Sequence, residues 1–248
     1  MKFGLIGKDI SRSQSPALFS RYNPGTDSSY ELVDTDDFDS ALDFVRENGF
    51  RAVNVTAPFK DRAFECATEH DRISSLTRTS NLLLFSGDSI KSFNTDYYGV
   101  HETVQQLLIS GDRLENALVL GCGGAGKAAV LALLDLGLNV YLANRNVFKA
   151  QELADRYNAA GDKDSNSLVK VVDFDFIENG NYDMLLSALS STPEDIKKKI
   201  SALKKKIIFE AEYRHPVLDG IIGNQYIAGT EWLKNQAIPG FRIFFQEF

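Results

Sequence analysis

The sequence is poor in the residues that build metal sites and covalent cross-links. Its 248 residues include two cysteines, three histidines, two methionines and one tryptophan. Cys66 and Cys122 are too few for a disulfide framework, and the histidines are scattered without the spacing of metal ligands. We therefore expect neither a disulfide nor a bound metal.

Long apolar runs and an excess of positive charge are also missing. No stretch approaches the ~20 apolar residues that span a bilayer, and the apolar part of the N-terminus is too short for a signal peptide. The 27 basic and 34 acidic residues give a net charge of −7, which disfavours nucleic acids and membranes as partners. We expect a cytoplasmic protein, a monomer or homodimer, whose partner is a small-molecule substrate.

Strand and helix patterns alternate along the chain, which is typical of an α/β fold. Apolar runs bounded by turn residues predict strands at 3–6, 30–33, 52–55, 81–85, 90–93, 117–120, 139–143, 168–172, 182–186 and 206–210. Helical spacing predicts helices at 15–22, 38–48, 62–68, 98–109, 127–134, 150–158, 193–199 and 230–245. The pattern changes near residues 96–100, where we expect a boundary between two halves.

The most informative motif is a glycine-rich loop at residues 121–126. It reads Gly-Cys-Gly-Gly-Ala-Gly and lies between a predicted strand and a predicted helix. In this context the glycines let the backbone approach a pyrophosphate, and the helix N-terminus presents free N–H groups to the anion. We expect a dinucleotide to contact Gly121, Gly123, Gly124, Ala125 and Gly126.

A basic segment follows the next predicted strand, at Asn144, Arg145 and Lys149. Proteins that bind NAD usually carry Asp or Glu at this point, about 20 residues after the loop, for the ribose hydroxyls. An arginine suits the 2′-phosphate of NADP instead, because its fork of donors matches a phosphate. The sequence therefore predicts NADP as the cofactor, with these three residues among its contacts.

Polar clusters in the first half lie at strand ends or helix starts, where open α/β sheets bind ligands. They are Ser13 with Ser15, the segment 54–60, Asn81, and the segment 94–96. Each has an ordinary alternative: the serines could cap a helix, Lys60 could be a solvated lysine, and Asp96 could be a helix cap.

Together and in this order, the segments resemble the shikimate dehydrogenase family. The resemblance rests on Gly-Leu-Ile-Gly at 4–7, Ser-Gln-Ser-Pro at 13–16, Asn-Val-Thr-Ala-Pro-Phe-Lys at 54–60 and Asn-Thr-Asp at 94–96. It continues through the glycine-rich loop, Asn144-Arg145, Tyr213 and the segment 229–236, and so covers nearly the whole chain. The chain departs from the family at 210–213, where Glu-Ala-Glu-Tyr replaces Asp-x-x-Tyr, and at 187–192, which lacks the family's glycine.

The resemblance implies an NADP-dependent oxidoreductase that reduces 3-dehydroshikimate to shikimate, a precursor of aromatic amino acids. It implies an N-terminal α/β substrate domain at residues 1–97, to which residues 228–248 return. A Rossmann-type, doubly wound NADP-binding domain would occupy residues 98–227, with a cleft between the two domains.

The resemblance also implies roles for individual residues. The substrate carboxylate would contact Ser13 and Ser15, and the substrate ring would contact Thr56, Asn81, Tyr213 and Gln236. Gly229 would contact the cofactor. Lys60 and Asp96 would form the catalytic pair: reduction of a ketone leaves an alkoxide that must be protonated, and an ammonium held charged by an aspartate can supply that proton.

Three other functions are compatible with parts of this pattern. A quinate-type dehydrogenase could use the same Lys60 and Asp96 with a different substrate or cofactor preference. A sensor that binds NADP without turnover would have no need for a proton donor and ring contacts. A dehydrogenase acting on folates would have no use for Ser13 and Ser15 as a carboxylate site.

Overall fold

The computed structural model describes residues 1–160, 167–221 and 223–245, and its fold combines helices and strands. The chain divides into two compact units. The first is Met1–Thr95 together with the segment from Gln236 onward, and the second is Asp96–Asn235. The α/β class predicted from the sequence is confirmed.

The first unit contains six strands and four short helices before the chain enters the second unit. They are β1 (Lys2–Gly7), α1 (Ser15–Tyr22), β2 (Ser29–Asp34), α2 (Phe38–Glu47), β3 (Phe50–Val55), α3 (Lys60–Glu65), β4 (Glu69–His70), α4 (Arg72–Thr77), β5 (Leu82–Ser86) and β6 (Ser89–Phe93). Helix α2 begins after Asp37, whose carboxylate accepts a hydrogen bond from the backbone N–H of Asp39 at 3.1 Å. Such a cap satisfies one of the amides that a helix start leaves unpaired.

The strands of the first unit form one mixed sheet in the order β2-β1-β3-β5-β6-β4. Strands β2, β1 and β3 are parallel, whereas β5 runs antiparallel to both β3 and β6. The carboxyl ends of β1, β3 and β6 and the start of β5 therefore lie along the same edge. This topology brings together polar segments that are distant in sequence.

The end of the last helix, α10 (Gly229–Phe244), packs on the first sheet through aromatic rings. Phe244 stacks on Phe3 with ring centroids 4.7 Å apart, and Phe241 meets Phe19 edge-on at 5.4 Å. Complete burial of a side chain of this size contributes about 1.5–3 kcal/mol. These contacts fix the part of α10 that carries Gln236.

The second unit alternates helices and strands throughout. Before α10 they are α5 (Asp96–Ile109), β7 (Asn116–Leu120), α6 (Gly124–Asp135), β8 (Asn139–Ala143), α7 (Val147–Ala160), β9 (Val169–Val172), α8 (Phe176–Asn179), β10 (Met184–Ser187), α9 (Glu194–Ser201), β11 (Ile207–Glu210) and β12 (Gln225–Ile227). Of the helices in the described residues, none has the length and the apolar character to cross a bilayer.

The six strands of the second unit form a parallel sheet in the order β12-β11-β10-β7-β8-β9. The chain starts at β7, builds β8 and β9 on one side, and then returns to build β10, β11 and β12 on the other. This is the doubly wound order of the Rossmann fold, and its direction switches between β7 and β10. The Rossmann-type second half predicted from the sequence is confirmed.

Several predicted elements differ in detail from the structure. Helix α3 begins at Lys60 and not at residue 62, and helix α1 has Gln14 at its N-cap position, so Ser15 is the first helical residue and not the cap. Four elements of two to six residues each were not predicted from the sequence: β4, α4, α8 and β12. Elements this short contain too few residues to show a helical or strand periodicity.

Candidate active site

The polar clusters predicted from the sequence lie at one edge of the first sheet. Ser13 and Ser15 follow β1, Thr56 and Lys60 follow β3, and Asn81 directly precedes β5. The backbone N–H of Val55 donates to the carbonyl of Asn81 at 2.8 Å, and that of Thr56 donates to Ile6 at 3.0 Å. Backbone pairing therefore holds these segments side by side at the edge where a ligand is expected.

The two serines interact with each other and lie beside a half-buried tyrosine. The hydroxyl of Ser13 donates to the hydroxyl of Ser15 at 3.1 Å and accepts from the Ser15 backbone N–H at 3.2 Å. Burial raises the pKa of Tyr30, and a hydrogen bond with Ser15 partly offsets the effect. The neutral Tyr30 phenol donates to Oδ1 of Asn54 at 2.8 Å. Tyr30 therefore links the two serines to Asn54 of β3.

Asn81, Thr95 and Gln236 form the other half of this network. The Asn81 amide donates to Thr95 Oγ1 at 3.0 Å and to Gln236 Oε1 at 3.2 Å. Thr95 donates to the same Gln236 oxygen at 2.8 Å, and its backbone N–H donates to Asn81 Oδ1 at 2.7 Å. Asn54 links the halves, because its Nδ2 donates to the Asn81 carbonyl at 3.3 Å. The hydrogen bonds therefore run from Ser13 to Gln236.

The side chain of Asn94 holds the segment that precedes Asn81 in place. The Asn94 amide is fully buried and donates to the hydroxyls of Thr77 at 3.1 Å and Thr79 at 2.9 Å. In addition, the backbone N–H of Ser80 donates to the carbonyl of Lys60 at 2.9 Å. Satisfied buried networks of this kind hold side chains in one arrangement. The positions of Asn81 and of the start of α3 therefore depend on each other.

The two residues of the expected catalytic pair each begin a helix. Lys60 is the half-buried first residue of α3 in the first unit. Asp96 is the buried first residue of α5 in the second unit and follows Thr95 directly in the chain. The helix dipole favours an acidic residue in a first turn, so Asp96 also stabilises the start of α5.

The glycine-rich loop of the second unit lies at the carboxyl end of β7, where the sheet reverses direction. Helix α6 starts at Gly124 with Gly123 at its N-cap position. The amides of its first turn lack intrahelical partners and are available to an anion. A Cβ on Gly123 would meet no atom within 4 Å, so the loop has open space where a phosphate can approach. The predicted residues 121–126 thus form a cradle that fits a pyrophosphate.

Two glycines of this loop touch each other. A Cβ on Gly126 would lie 2.0 Å from the carbonyl oxygen of Gly121, which has a φ of +96°. No side chain fits there without moving the backbone. We expect Gly126→Ala to weaken NADPH binding at least tenfold, which corresponds to about 1.4 kcal/mol, and to lower stability by about 1–3 kcal/mol through overpacking.

Fluorescence titration with NADPH and thermal unfolding test this expectation. Gly123→Ala is the control for the fold, because its Cβ meets nothing in the protein and should leave Tm unchanged. If Gly126→Ala matches the unmodified protein in both measurements, the close contact between the two glycines has no functional importance.

Asn144 connects this loop to the basic segment. Its side-chain oxygen accepts from the Cys122 backbone N–H at 3.3 Å, and its Nδ2 donates to the carbonyl of Asn146 at 2.8 Å. Arg145 and Lys149 are exposed on either side of the start of α7. Burial raises the pKa of the Cys122 thiol, and the positive charges of Lys127 and Lys149 act in the opposite direction. The positive electrostatic potential of these two lysines therefore extends to the loop where a phosphate would bind.

Tyr213 and Gly229 lie near the carboxyl end of β11. Tyr213 is three residues past that strand, and burial raises the pKa of its phenol, which keeps it a hydrogen-bond donor. Gly229 lies against the strand end, since a Cβ there would be 2.4 Å from the Ala211 carbonyl oxygen. Only glycine permits this close approach of two backbone segments.

Sequence reasoning missed Tyr30 and did not place Thr95 in the site. Tyr30 lies within β2, where an aromatic residue is ordinary, and its contact with Asn54 spans 24 residues. Thr95 belongs to the predicted segment 94–96, and its placement beside Gln236 depends on the return of α10 to the first sheet. Neither contact has a local sequence signal.

Known proteins with similar sequences belong to one family. A model of the shikimate dehydrogenase substrate binding domain matches residues 5–83. The shikimate dehydrogenase (NADP(+)) of Saccharolobus solfataricus is 31% identical over 257 residues, which cover 99% of this chain and 89% of that protein. The protein of the same name from Pasteurella multocida is 31% identical over 195 residues, covering 77% and 70%. Both relatives have names that specify the same substrate and the same cofactor.

A solved structure shows the same similarity in three dimensions. The crystal structure of shikimate 5-dehydrogenase from Thermus thermophilus, in complex with NADP(H) and shikimate, matches with a TM-score of 0.80 at 25% identity. The match covers 99% of this chain and 93% of that one. The similarity therefore extends over both units.

Proposed function

Because the chain belongs to the shikimate dehydrogenase family, we propose that it is an NADP-dependent oxidoreductase that interconverts 3-dehydroshikimate and shikimate. The observation that carries this proposal is the hydrogen-bonded network from Ser13 to Gln236 at the carboxyl edge of the first sheet. The quinate alternative is not favoured, since the curated relatives are named for shikimate. A steady-state assay of the purified protein tests the proposal. Oxidation of shikimate is monitored through the formation of NADPH, and the same assay is repeated with quinate in place of shikimate and with NAD in place of NADP.

We propose that the two units divide the binding of the two reactants. The substrate domain, proposed at residues 1–97 with 228–248, corresponds closely to the first unit, and the match of residues 5–83 to the family model supports this role. Residues 98–227 serve as the NADP-binding domain, supported by the doubly wound parallel sheet and its glycine-rich loop.

The residues of the network suit a small polyhydroxylated acid. Ser13 and Ser15 present two hydroxyls at the start of α1, where the helix dipole also favours a carboxylate. Asn81 and Gln236 offer amide groups, and Thr56 a hydroxyl, to the hydroxyls of the substrate ring. Tyr213 is proposed to offer its phenol to the substrate ring as well. Each of these groups can donate and accept, as hydroxyl recognition requires.

The second unit holds the residues proposed to bind NADP. When bound, this cofactor supplies the hydride. The backbone amides of Gly121, Gly123, Gly124, Ala125 and Gly126 would hold its pyrophosphate. Arg145 and Lys149 would bind the 2′-phosphate, while Asn144 keeps the basic segment joined to the loop. Gly229 contributes backbone near the end of β11.

Lys60 and Asp96 carry the proposed proton transfer. As the substrate ketone is reduced, negative charge develops on its oxygen, and the Lys60 ammonium donates a proton to that oxygen. The same ammonium stabilises the developing charge more strongly than it stabilises the neutral ketone. Asp96 orients the Lys60 ammonium through charge attraction. In the reverse direction the shikimate hydroxyl gives its proton to Lys60 in its neutral amine form.

The two serines give a test of the substrate side. We expect the double substitution Ser13→Ala and Ser15→Ala to raise KM for shikimate at least tenfold, because hydrogen bonds to a charged group contribute about 1.5–3 kcal/mol each. KM for NADP should change less than twofold. Ser40→Ala, an exposed serine of α2, is the matched control. An unchanged KM for shikimate in the double variant would show that the serines only shape the start of α1.

We also propose a cellular location and an oligomeric state for the protein. We propose a cytoplasmic protein, because its two cysteines, Cys66 and Cys122, are free thiols of the kind that a reducing compartment preserves. We propose a monomer or a homodimer with no nucleic acid or membrane partner, as expected from the net charge of −7. Light scattering coupled to size-exclusion chromatography measures the oligomeric state.

A further inference from the structure

A buried carboxylate lies at the carboxyl end of β11, beside the segment that carries Tyr213. Glu210 is 1% exposed and is the last residue of the strand. Its Oε1 accepts from the Val217 backbone N–H at 3.0 Å, and its Oε2 accepts from the Leu218 N–H at 3.1 Å and from the Tyr226 hydroxyl at 2.8 Å. All three partners of the Glu210 carboxylate are hydrogen-bond donors, so this position suits a side chain that only accepts hydrogen bonds.

These hydrogen bonds close residues 211–218 into a loop with a fixed base. At its start, the Ala211 backbone N–H donates to the Ser187 carbonyl at 2.8 Å. At its end, Leu218 is fully buried in the hydrophobic core that also contains Ile208. Between these points the loop carries Tyr213. The Glu210 side chain links the strand to the far end of this loop.

A second carboxylate makes the same kind of contact at the opposite edge of the same sheet. Asp183 Oδ2 accepts from the backbone N–H groups of Glu115 at 2.9 Å and Asn116 at 3.0 Å. Asn116 is the first residue of β7, so this pair lies at the amino ends of the strands. Asp183 stabilises backbone far from the edge where ligands bind in such sheets. It provides a natural comparison for Glu210.

We propose that Glu210 is a positioning residue: its carboxylate clamps the loop 211–218 so that Tyr213 is held at the carboxyl edge of the second sheet. The proposal rests on the proposed function, in which Tyr213 contacts the substrate ring. In Glu210→Gln, one oxygen becomes an NH2 group that faces donors, so at least one backbone amide loses its partner. The loop base then opens and Tyr213 loses its fixed position.

The experiment compares Glu210→Gln with Asp183→Asn, and both should lower Tm. Only Glu210→Gln should raise KM for shikimate, by about tenfold, and lower kcat. Glu210→Asp, which keeps a carboxylate, should recover part of the lost kcat/KM. In a Tyr213→Phe background, Glu210→Gln should change kcat/KM by less than threefold, because both substitutions affect the same contact.

Amide hydrogen exchange gives a readout that does not depend on activity. The amides of Val217 and Leu218 should exchange faster in Glu210→Gln, whereas Tyr226→Phe, which removes only one donor, should leave them protected. Equal kinetic constants for Glu210→Gln and Asp183→Asn, or an unchanged exchange rate, would overturn the positioning role. If the unmodified protein does not oxidise shikimate, the proposed function fails instead, and the two failures are thus distinguishable.

Discussion

Replacing Lys60 by alanine is expected to lower kcat for shikimate oxidation by about 10²–10⁴-fold, the usual contribution of a positioned acid or base. KM should change much less, because a group that acts mainly in the transition state contributes little to binding of the ground state. Lys91→Ala is the matched control. Lys91 also belongs to the first unit, but it lies within β6 and over the Phe93 ring.

Asp96→Asn should also lower kcat severely, and the double variant with Lys60→Ala should fall far short of additivity, because the two residues act as a unit. The structural alternative leads to a different result. If Asp96 only complements the dipole of α5, its substitution should cost about 0.3–1 kcal/mol of stability and little activity. Near-normal kcat in Lys60→Ala would reject its catalytic role, and Tm measured for all three variants separates the two explanations.

Arg145→Ala is expected to raise KM for NADP by about tenfold to a hundredfold. The loss of one charged hydrogen-bond partner costs about 1.5–3 kcal/mol, and each 1.4 kcal/mol is about a tenfold change in affinity. Constants for NAD should hardly change, because NAD has no 2′-phosphate for the guanidinium to bind. Cofactor preference, expressed as the ratio of kcat/KM for NADP and NAD, is the quantity to measure.

Arg113→Ala controls for the loss of a positive charge, since Arg113 is exposed in the same unit but precedes β7 and so lies at the amino edge of the sheet. Lys149→Ala should have a smaller effect than Arg145→Ala, because an ammonium lacks the paired donors of a guanidinium. Efficient use of NAD by the unmodified protein would contradict the assignment of Arg145.

The parts of the fold that were predicted well from the sequence are determined by residues that lie close together in the chain. The strand β7, its glycine-rich loop and α6 follow one another without interruption, so residue type alone predicted this strand, loop and helix. The polar segments after β1, β3 and β6 were recognised by their motifs. Their meeting at one edge follows from the parallel and antiparallel pairing of strands.

The parts that could not be predicted depend on distant contacts. Tyr30 reads as an ordinary strand residue, and only the sheet order places it beside Asn54. Glu210 reads as a polar residue at a strand end, and its partners lie 7, 8 and 16 residues farther along the chain. Such contacts are specified by tertiary packing, which no single-sequence pattern contains.

The return of α10 to the first sheet has a consequence for synthesis of the protein on the ribosome. Strand β1, which carries Phe3, leaves the ribosome well before α10, which carries Phe244, the ring that stacks on Phe3. In the same way, 155 residues separate Asn81 from Gln236. At about 5–20 residues per second, the nascent first unit waits roughly 8–30 s for this helix while the second unit is being made. During that time Phe3 and Phe19 lack the aromatic rings of α10 that cover them in the folded protein.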